Sequence, residues 1–158
     1  SPDQRNPPAG VAYEDAWGWM VESMRRCGER AAERGVLFLI EALPPPGCRF
    51  ITTVEEAATL VRQVDLPGFR MMVDVRAMTI DGRPVPEQIA TVAPLVRHVH
   101  VNDPNMRGPG MGDVAIAPIL AALRRVGFTG WVSVEAFDTA YPVEGIAAES
   151  IANLRAAE

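Results

Sequence analysis

Four positions in this chain place a side chain able to bind a divalent cation at the end of an apolar segment: Glu41, Asp74, His100 and Glu135. Glu41 follows Val36-Leu37-Phe38-Leu39-Ile40, Asp74 follows Phe69-Arg70-Met71-Met72-Val73, and Glu135 follows Trp131-Val132-Ser133-Val134. His100 lies in Val96-Arg97-His98-Val99-His100-Val101-Asn102-Asp103, which holds both histidines of the protein. A single carboxylate closing a strand means little, because Asp and Glu are common where a strand gives way to a loop. Four such segments with four such ends, one of them an imidazole, are harder to assign to chance. Three carboxylates and one imidazole form a hard, oxygen-rich donor set, which suits Mn²⁺ or Mg²⁺, with Co²⁺ or Zn²⁺ as alternatives. Residues i and i+2 of a strand share a face, so His98 and His100 point the same way. A hydrogen-bonded pair of core histidines fits that stretch as well as a metal site does.

The elements that must carry these residues follow from periodicity. Trp17, Met20, Val21, Met24, Cys27 and Ala31 recur at helical spacing over about 13–34, and Gly35 is placed to end that helix. The continuous apolar run 36–40 predicts a strand buried on both faces. Thr53-Val54-Glu55-Glu56 has capping-box form, and the helix behind it is expected to close at Pro67-Gly68. The strand ending at Asp74 leads into a turn-rich connection, and Pro86 at N1 opens the next helix. The glycine-rich segment Arg107-Gly108-Pro109-Gly110-Met111-Gly112-Asp113 follows the histidine strand. It lacks a lysine and the Gly-x-Gly-x-x-Gly spacing, which predicts a flexible substrate-side loop rather than a phosphate cradle. Helices over about 116–126 and 143–156 flank the last strand. Four βα units thus follow a leading helix, with about five helices in all. Right-handed crossovers in series give an open doubly wound sheet or a closed barrel, and in either the strand C-termini share one rim.

Bulk properties narrow the function. At 158 residues the chain has the length of one domain, 1–158, able to bury a core. No apolar run approaches membrane-spanning length. The opening Ser1-Pro2-Asp3-Gln4-Arg5 is polar and does not read as a signal peptide. Two cysteines are too few for a disulfide framework, and a reduced, cytoplasmic pair is expected. The net charge is −5 and the arginines are scattered, which argues against nucleic acid as the main partner.

With these residues in place the chain resembles the sugar phosphate isomerase/epimerase superfamily, the xylose isomerase-like TIM barrels that include ketose 3-epimerases, hydroxypyruvate isomerase and inosose dehydratase. The resemblance rests on Leu39-Ile40-Glu41-Ala42-Leu43, Met72-Val73-Asp74-Val75, His98-Val99-His100-Val101-Asn102-Asp103 and Val134-Glu135-Ala136-Phe137, at intervals that suit the ketose 3-epimerase pattern. It implies an α/β fold that is the C-terminal half of a (β/α)₈ barrel, since a complete barrel needs about 250 residues. It also implies that Glu41, Asp74, His100 and Glu135 bind a divalent metal, Mn²⁺ or Mg²⁺ before Co²⁺ or Zn²⁺. By the same resemblance Glu41 and Glu135 act on opposite faces of the substrate carbon, one removing a proton and the other returning it, through an enediolate that the metal stabilises. The substrate implied is a ketose or related polyol. Arg107, Asp103 and His98 are the substrate-side candidates, although Asn102 and Asp103 also suit an Asx turn before Pro104 and His98 a packed, supporting position. The partner expected is a second copy or a separate N-terminal half.

Departures from the family pattern bear on the substrate. Ala77 stands where ketose 3-epimerases carry a substrate-binding histidine, and Pro44-Pro45-Pro46-Gly47 replaces a loop that carries a glutamate. Arg107 lies about one residue out of register with the family's substrate-contacting arginine. Two other readings therefore remain: a metal-dependent dehydratase, and a non-catalytic half-barrel that acts by association. An endonuclease site is disfavoured by the acidic charge and the few histidines. Trp17, Trp19 and the methionines of the first helix are expected in the core, with Glu14, Asp15, Glu29 and Glu33 on a solvated face.

Overall fold

The computed structural model describes residues 2–138 and 140–158. Among them run four parallel strands and seven α-helices, an α/β fold. Among the described residues no helix is long and apolar enough to cross a membrane. The chain divides into two compact units, Ser1–Met72 and Val73–Glu158.

The first unit contains α1 (Pro2–Arg5), α2 (Tyr13–Glu33), β1 (Phe38–Ile40), α3 (Val54–Val64) and most of β2 (Phe69–Asp74). β1 and β2 pair in parallel, Phe38 opposite Phe69 and Ile40 opposite Met71. The leading helix approaches its neighbours through its small residues: Ala16, Gly28 and Ala31 are its buried positions. Gly68 lies so close to α2 that a Cβ there would stand 2.1 Å from the Gly28 carbonyl oxygen, so the expected helix-closing glycine is instead a packing contact. The closure of α3 falls to Asp65, which takes the left-handed conformation at φ 49°.

Close approach through small residues leaves the large ones of α2 at the margin. Trp17 stacks with Tyr13, meets Phe50 edge-on and donates its indole N–H to Gln63. Trp19 is 60 % exposed, against the expectation of a core position. The run 36–40 likewise departs from a strand buried on both faces. Val36, Leu37 and Phe38 are exposed and only Ile40 is buried, because the strand is three residues long and pairs on one side with β2.

The start of α3 forms as its sequence requires. The Thr53 hydroxyl accepts from the Glu56 backbone N–H, and Glu56 Oε2 accepts from the backbone N–H of both Thr53 and Thr52. The Tyr13 hydroxyl donates to Glu56 Oε1 at 3.1 Å. Burial first, and then the Glu56 carboxylate, push the Tyr13 hydroxyl up to about 12. A phenol whose folded pKa is raised stabilises the fold fully below the ordinary tyrosine range, and that contribution is lost as pH rises toward the folded value. Glu56→Ala is expected to cost about 1–2 kcal/mol in urea unfolding and to lower the Tyr13 titration read by phenolate absorbance. An unchanged midpoint would contradict the role given to this cap.

The second unit carries the end of β2, α4 (Val75–Ile80), α5 (Val85–Val92), a 3₁₀ turn at Ala93–Leu95, β3 (Val96–Val101), α6 (Ile116–Arg125), β4 (Trp131–Val134) and α7 (Val143–Ala156). β3 and β4 are parallel, with His98 opposite Trp131 and His100 opposite Ser133. The short helices α1 and α4 are additions to the five read from periodicity. α4 arises because Asp74 caps it directly, its Oδ1 accepting from the Ala77 N–H. α5 packs on α6, and buried Gln88 ties the preceding turn by donating to the Met78 and Arg83 carbonyls.

The glycine-rich loop after β3 is clamped rather than flexible. Asp103 is fully buried, and its carboxylate accepts from the Gly110 and Val114 backbone N–H groups at 2.9 and 3.0 Å. Asn153 on α7 donates to the Pro109 carbonyl. The glycines permit this closeness: a Cβ on Gly112 would lie 2.5 Å from Asp103 Oδ1.

Candidate metal centre

Asp74, His100 and Glu135 come together within the second unit. Each offers one ligand atom, and these atoms lie within 4.8 Å of one another. Two ligands at about 2.1 Å from one cation stand at most about 4.2 Å apart, so closing this set on a single ion would take only small side-chain adjustments. Two carboxylates this close repel each other, and a cation between them removes that cost. Oxygen, oxygen and imidazole nitrogen are donors that fit a divalent ion of intermediate hardness.

The positioning of each ligand follows from its element. Asp74 ends β2 and begins α4, where it is almost completely buried. Its Oδ1 is held by the Ala77 N–H at 2.7 Å and its Oδ2 by the Asn102 side-chain amide at 2.6 Å. Asn102 is itself fixed, its Oδ1 accepting from the Arg76 N–H. His100 stands one residue before the end of β3, with Nδ1 3.3 Å from Glu135 Oε2. Glu135 follows the last residue of β4, and its backbone N–H extends the ladder to the Val101 carbonyl.

The remaining sequence-designated residues divide into supporting and rim positions. His98 Nε2 lies 2.7 Å from Ser133 Oγ, and its ring meets His100 edge-on at 5.1 Å between centroids. Burial, with a smaller effect of the neighbouring His100, holds His98 below the usual histidine range. Asp103, counted on the substrate side, has both carboxylate oxygens turned into the loop it closes. Arg107 is a rim residue, half-exposed, with Nε donating to Asp138 Oδ2 at 2.8 Å.

Glu41 belongs to the first unit. It is half-buried and directly follows Ile40, the last residue of β1, which pairs with Met71. Its carbonyl accepts from Arg5 Nη1 at 2.5 Å. The segment of Arg5 straps the loop after β1: Asn6 donates to the Gly47 carbonyl and accepts from the Arg49 N–H.

Arg5, Ser133 and Asp138 were missed in the sequence. Ser133 left a signal, being the one polar residue inside β4 and sharing a face with Glu135 at i+2. Arg5 and Asp138 left none, because their partners lie 36 and 31 residues away.

The family described as the xylose isomerase-like TIM barrel matches residues 4–157. D-psicose 3-epimerase of Ruminiclostridium cellulolyticum is 31% identical over 121 residues, which is 77% of this chain and 41% of that protein. D-psicose 3-epimerase of Agrobacterium fabrum is 30% identical over 136 residues, 86% of this chain and 46% of that protein. Among solved structures, the E. coli 3-keto-D-glucoside 4-epimerase YcjR superposes with a TM-score of 0.87 at 22% identity, over 94% of this chain and 57% of that one. The chain spans about half the length of the curated relatives it matches.

Proposed function

Because the chain belongs to the xylose isomerase-like TIM barrel family, we propose that it supplies the metal-binding rim of a divalent-metal-dependent sugar isomerase or epimerase. The observation that carries this reading is the convergence of Asp74, His100 and Glu135 within 4.8 Å. Glu41 is proposed as the fourth ligand, and Mn²⁺ or Mg²⁺ as the ion. The relatives named above, epimerases of ketoses or of a ketoglucoside, support a ketose or related hydroxy-carbonyl substrate.

When bound, the ion supplies Lewis-acid stabilisation of negative charge on oxygen beside a carbonyl. The chain's own residues do the rest. Asn102 and the Ala77 N–H hold the Asp74 carboxylate in one orientation. His98, anchored on Ser133, fixes the His100 ring. Glu135 is half-buried and faces the rim, where its carboxylate can take a proton from the carbon beside the carbonyl. Glu41 is proposed to return a proton from the other face, inverting that centre. Arg107 is proposed to hold the substrate's far end.

Residues 1–158 are proposed to act as one partial barrel in the cytoplasm, completed by a second copy or by an N-terminal half-barrel. Trp131 supports this, being 80 % exposed on β4, which pairs only with β3 among the described residues. The testing experiment incubates the Mn²⁺-loaded protein with a ketose in deuterated water. Deuterium entering the carbon beside the carbonyl, with appearance of the epimer, is expected. A conjugated enone instead would reassign the site to dehydration, and neither product would contradict catalysis by this assembly.

A further inference from the structure

The loop after β3 carries a guanidinium whose charge is already compensated. Arg107 Nε donates to Asp138 Oδ2 at 2.8 Å, and the guanidinium carbon lies 4.9 Å from the centre of the Tyr141 ring. The Tyr141 hydroxyl donates to Glu149, placing a second carboxylate behind the stack. Asp138 is fixed in turn, since its Oδ1 accepts from the Ala140 N–H. The two loops that carry the pair are stapled together: the Phe137 and Asp138 N–H groups both donate to the Met106 carbonyl, at 2.8 and 3.0 Å. Met106 adopts φ 70° to make that carbonyl available. Arg107 lies in the loop after β3 and Asp138 in the loop after β4, so the pair stands at the ends of those parallel strands that carry His100 and Glu135.

One edge of the guanidinium is occupied by Asp138, while the side chain as a whole remains 40 % exposed. A guanidinium presents donors on two edges, so the Nη edge can still bind oxygen acceptors. Its charge is a different matter. Arg107 contributes one positive charge, and Asp138 and Glu149 contribute two negative ones, leaving the surroundings negative. A carboxylate or phosphate arriving here meets hydrogen-bond donors but net repulsion, whereas hydroxyl groups meet the donors without it.

We propose that Asp138 is a specificity-determining residue: by holding Arg107 in a compensated ion pair stacked on Tyr141, it makes this rim accept an uncharged, hydroxylated end of the substrate and reject an anionic one. Its relevance to a substrate rests on the reading of Asp74, His100 and Glu135 as the metal centre, but the charge compensation is testable without metal.

The test uses the whole chain after chelator treatment, with inorganic phosphate as the anionic probe, read by calorimetry and by the Nε signal of Arg107 in nuclear magnetic resonance. The wild type is expected to show no saturable phosphate binding, while Asp138→Asn gains it, and Arg107→Gln in that background abolishes the gain. Phosphate binding to wild-type Arg107, or no gain in Asp138→Asn, overturns the proposal. Should Asp138→Asn fail to fold, Glu149→Gln keeps the Arg107–Asp138 bond and is expected to give weak but saturable phosphate binding where the wild type gives none, and its absence overturns the proposal. A parallel Mn²⁺ titration of the same proteins reads the metal centre separately. Lost Mn²⁺ binding with the phosphate result intact refutes the metal reading alone; the reverse refutes the specificity role alone.

Discussion

Replacing His100 by alanine is expected to weaken Mn²⁺ binding by at least about 100-fold, without loss of the fold. The imidazole is the only nitrogen donor of the three-residue set, and its removal leaves two carboxylates within 4.8 Å of each other with one fewer ligand to offset their repulsion. His100 is only partly buried, so alanine there opens little of the core. A companion variant separates ligation from support. Asn102→Ala removes the amide that fixes Asp74 Oδ2 at 2.6 Å while leaving every ligand in place, and is expected to weaken Mn²⁺ binding about 10- to 100-fold. Calorimetric titration of both variants checks the order. Wild-type affinity in His100→Ala would remove that residue from the ligand set.

Asp103→Ala is expected to destabilise the second unit by about 3 kcal/mol. The carboxylate is fully buried and accepts two backbone N–H groups, from Gly110 and Val114. Hydrogen bonds to a charged acceptor contribute about 1.5–3 kcal/mol each, and alanine leaves both donors without it. In a chain of this length that cost lowers Tm by roughly 6–12 °C. The Gly110–Val114 end of the loop would then loosen, while Asn153 still holds Pro109 and Asp138 still holds Arg107. Amide exchange at Gly110 and Val114 should accelerate in the variant, with β3 and β4 unaffected. A thermal midpoint within a degree or two of wild type would contradict the assignment of Asp103 as the loop's internal anchor.

The residues legible in the sequence are those whose roles depend on near neighbours. Thr53 and Glu56 are three apart and cap α3 through contacts that any helix start of that form makes, so spacing was sufficient. The ends of β2, β3 and β4 were legible because apolar alternation stops where the polar residue begins, and parallel pairing carries those ends to one side. Family resemblance then linked the four ends into one set.

Tertiary partners hid the rest. Asp103 reads equally as an Asx residue or a substrate contact, and only the return of Gly110 and Val114 onto its carboxylate distinguishes the loop anchor. The loop's three glycines suggested flexibility, yet Gly112 serves to let the chain approach Asp103 closely. Val36 and Leu37 carry the composition of a buried strand, but pairing begins at Phe38 and leaves them exposed. α4 escaped notice because its cap, Asp74, already had a role as the end of a strand.

The most direct test of the central claim is diffraction from Mn²⁺-soaked crystals at the manganese absorption edge. The account predicts one anomalous peak within coordination distance of the Asp74 carboxylate, a His100 ring nitrogen and the Glu135 carboxylate. A peak elsewhere, or none among those three side chains at saturating Mn²⁺, would contradict it.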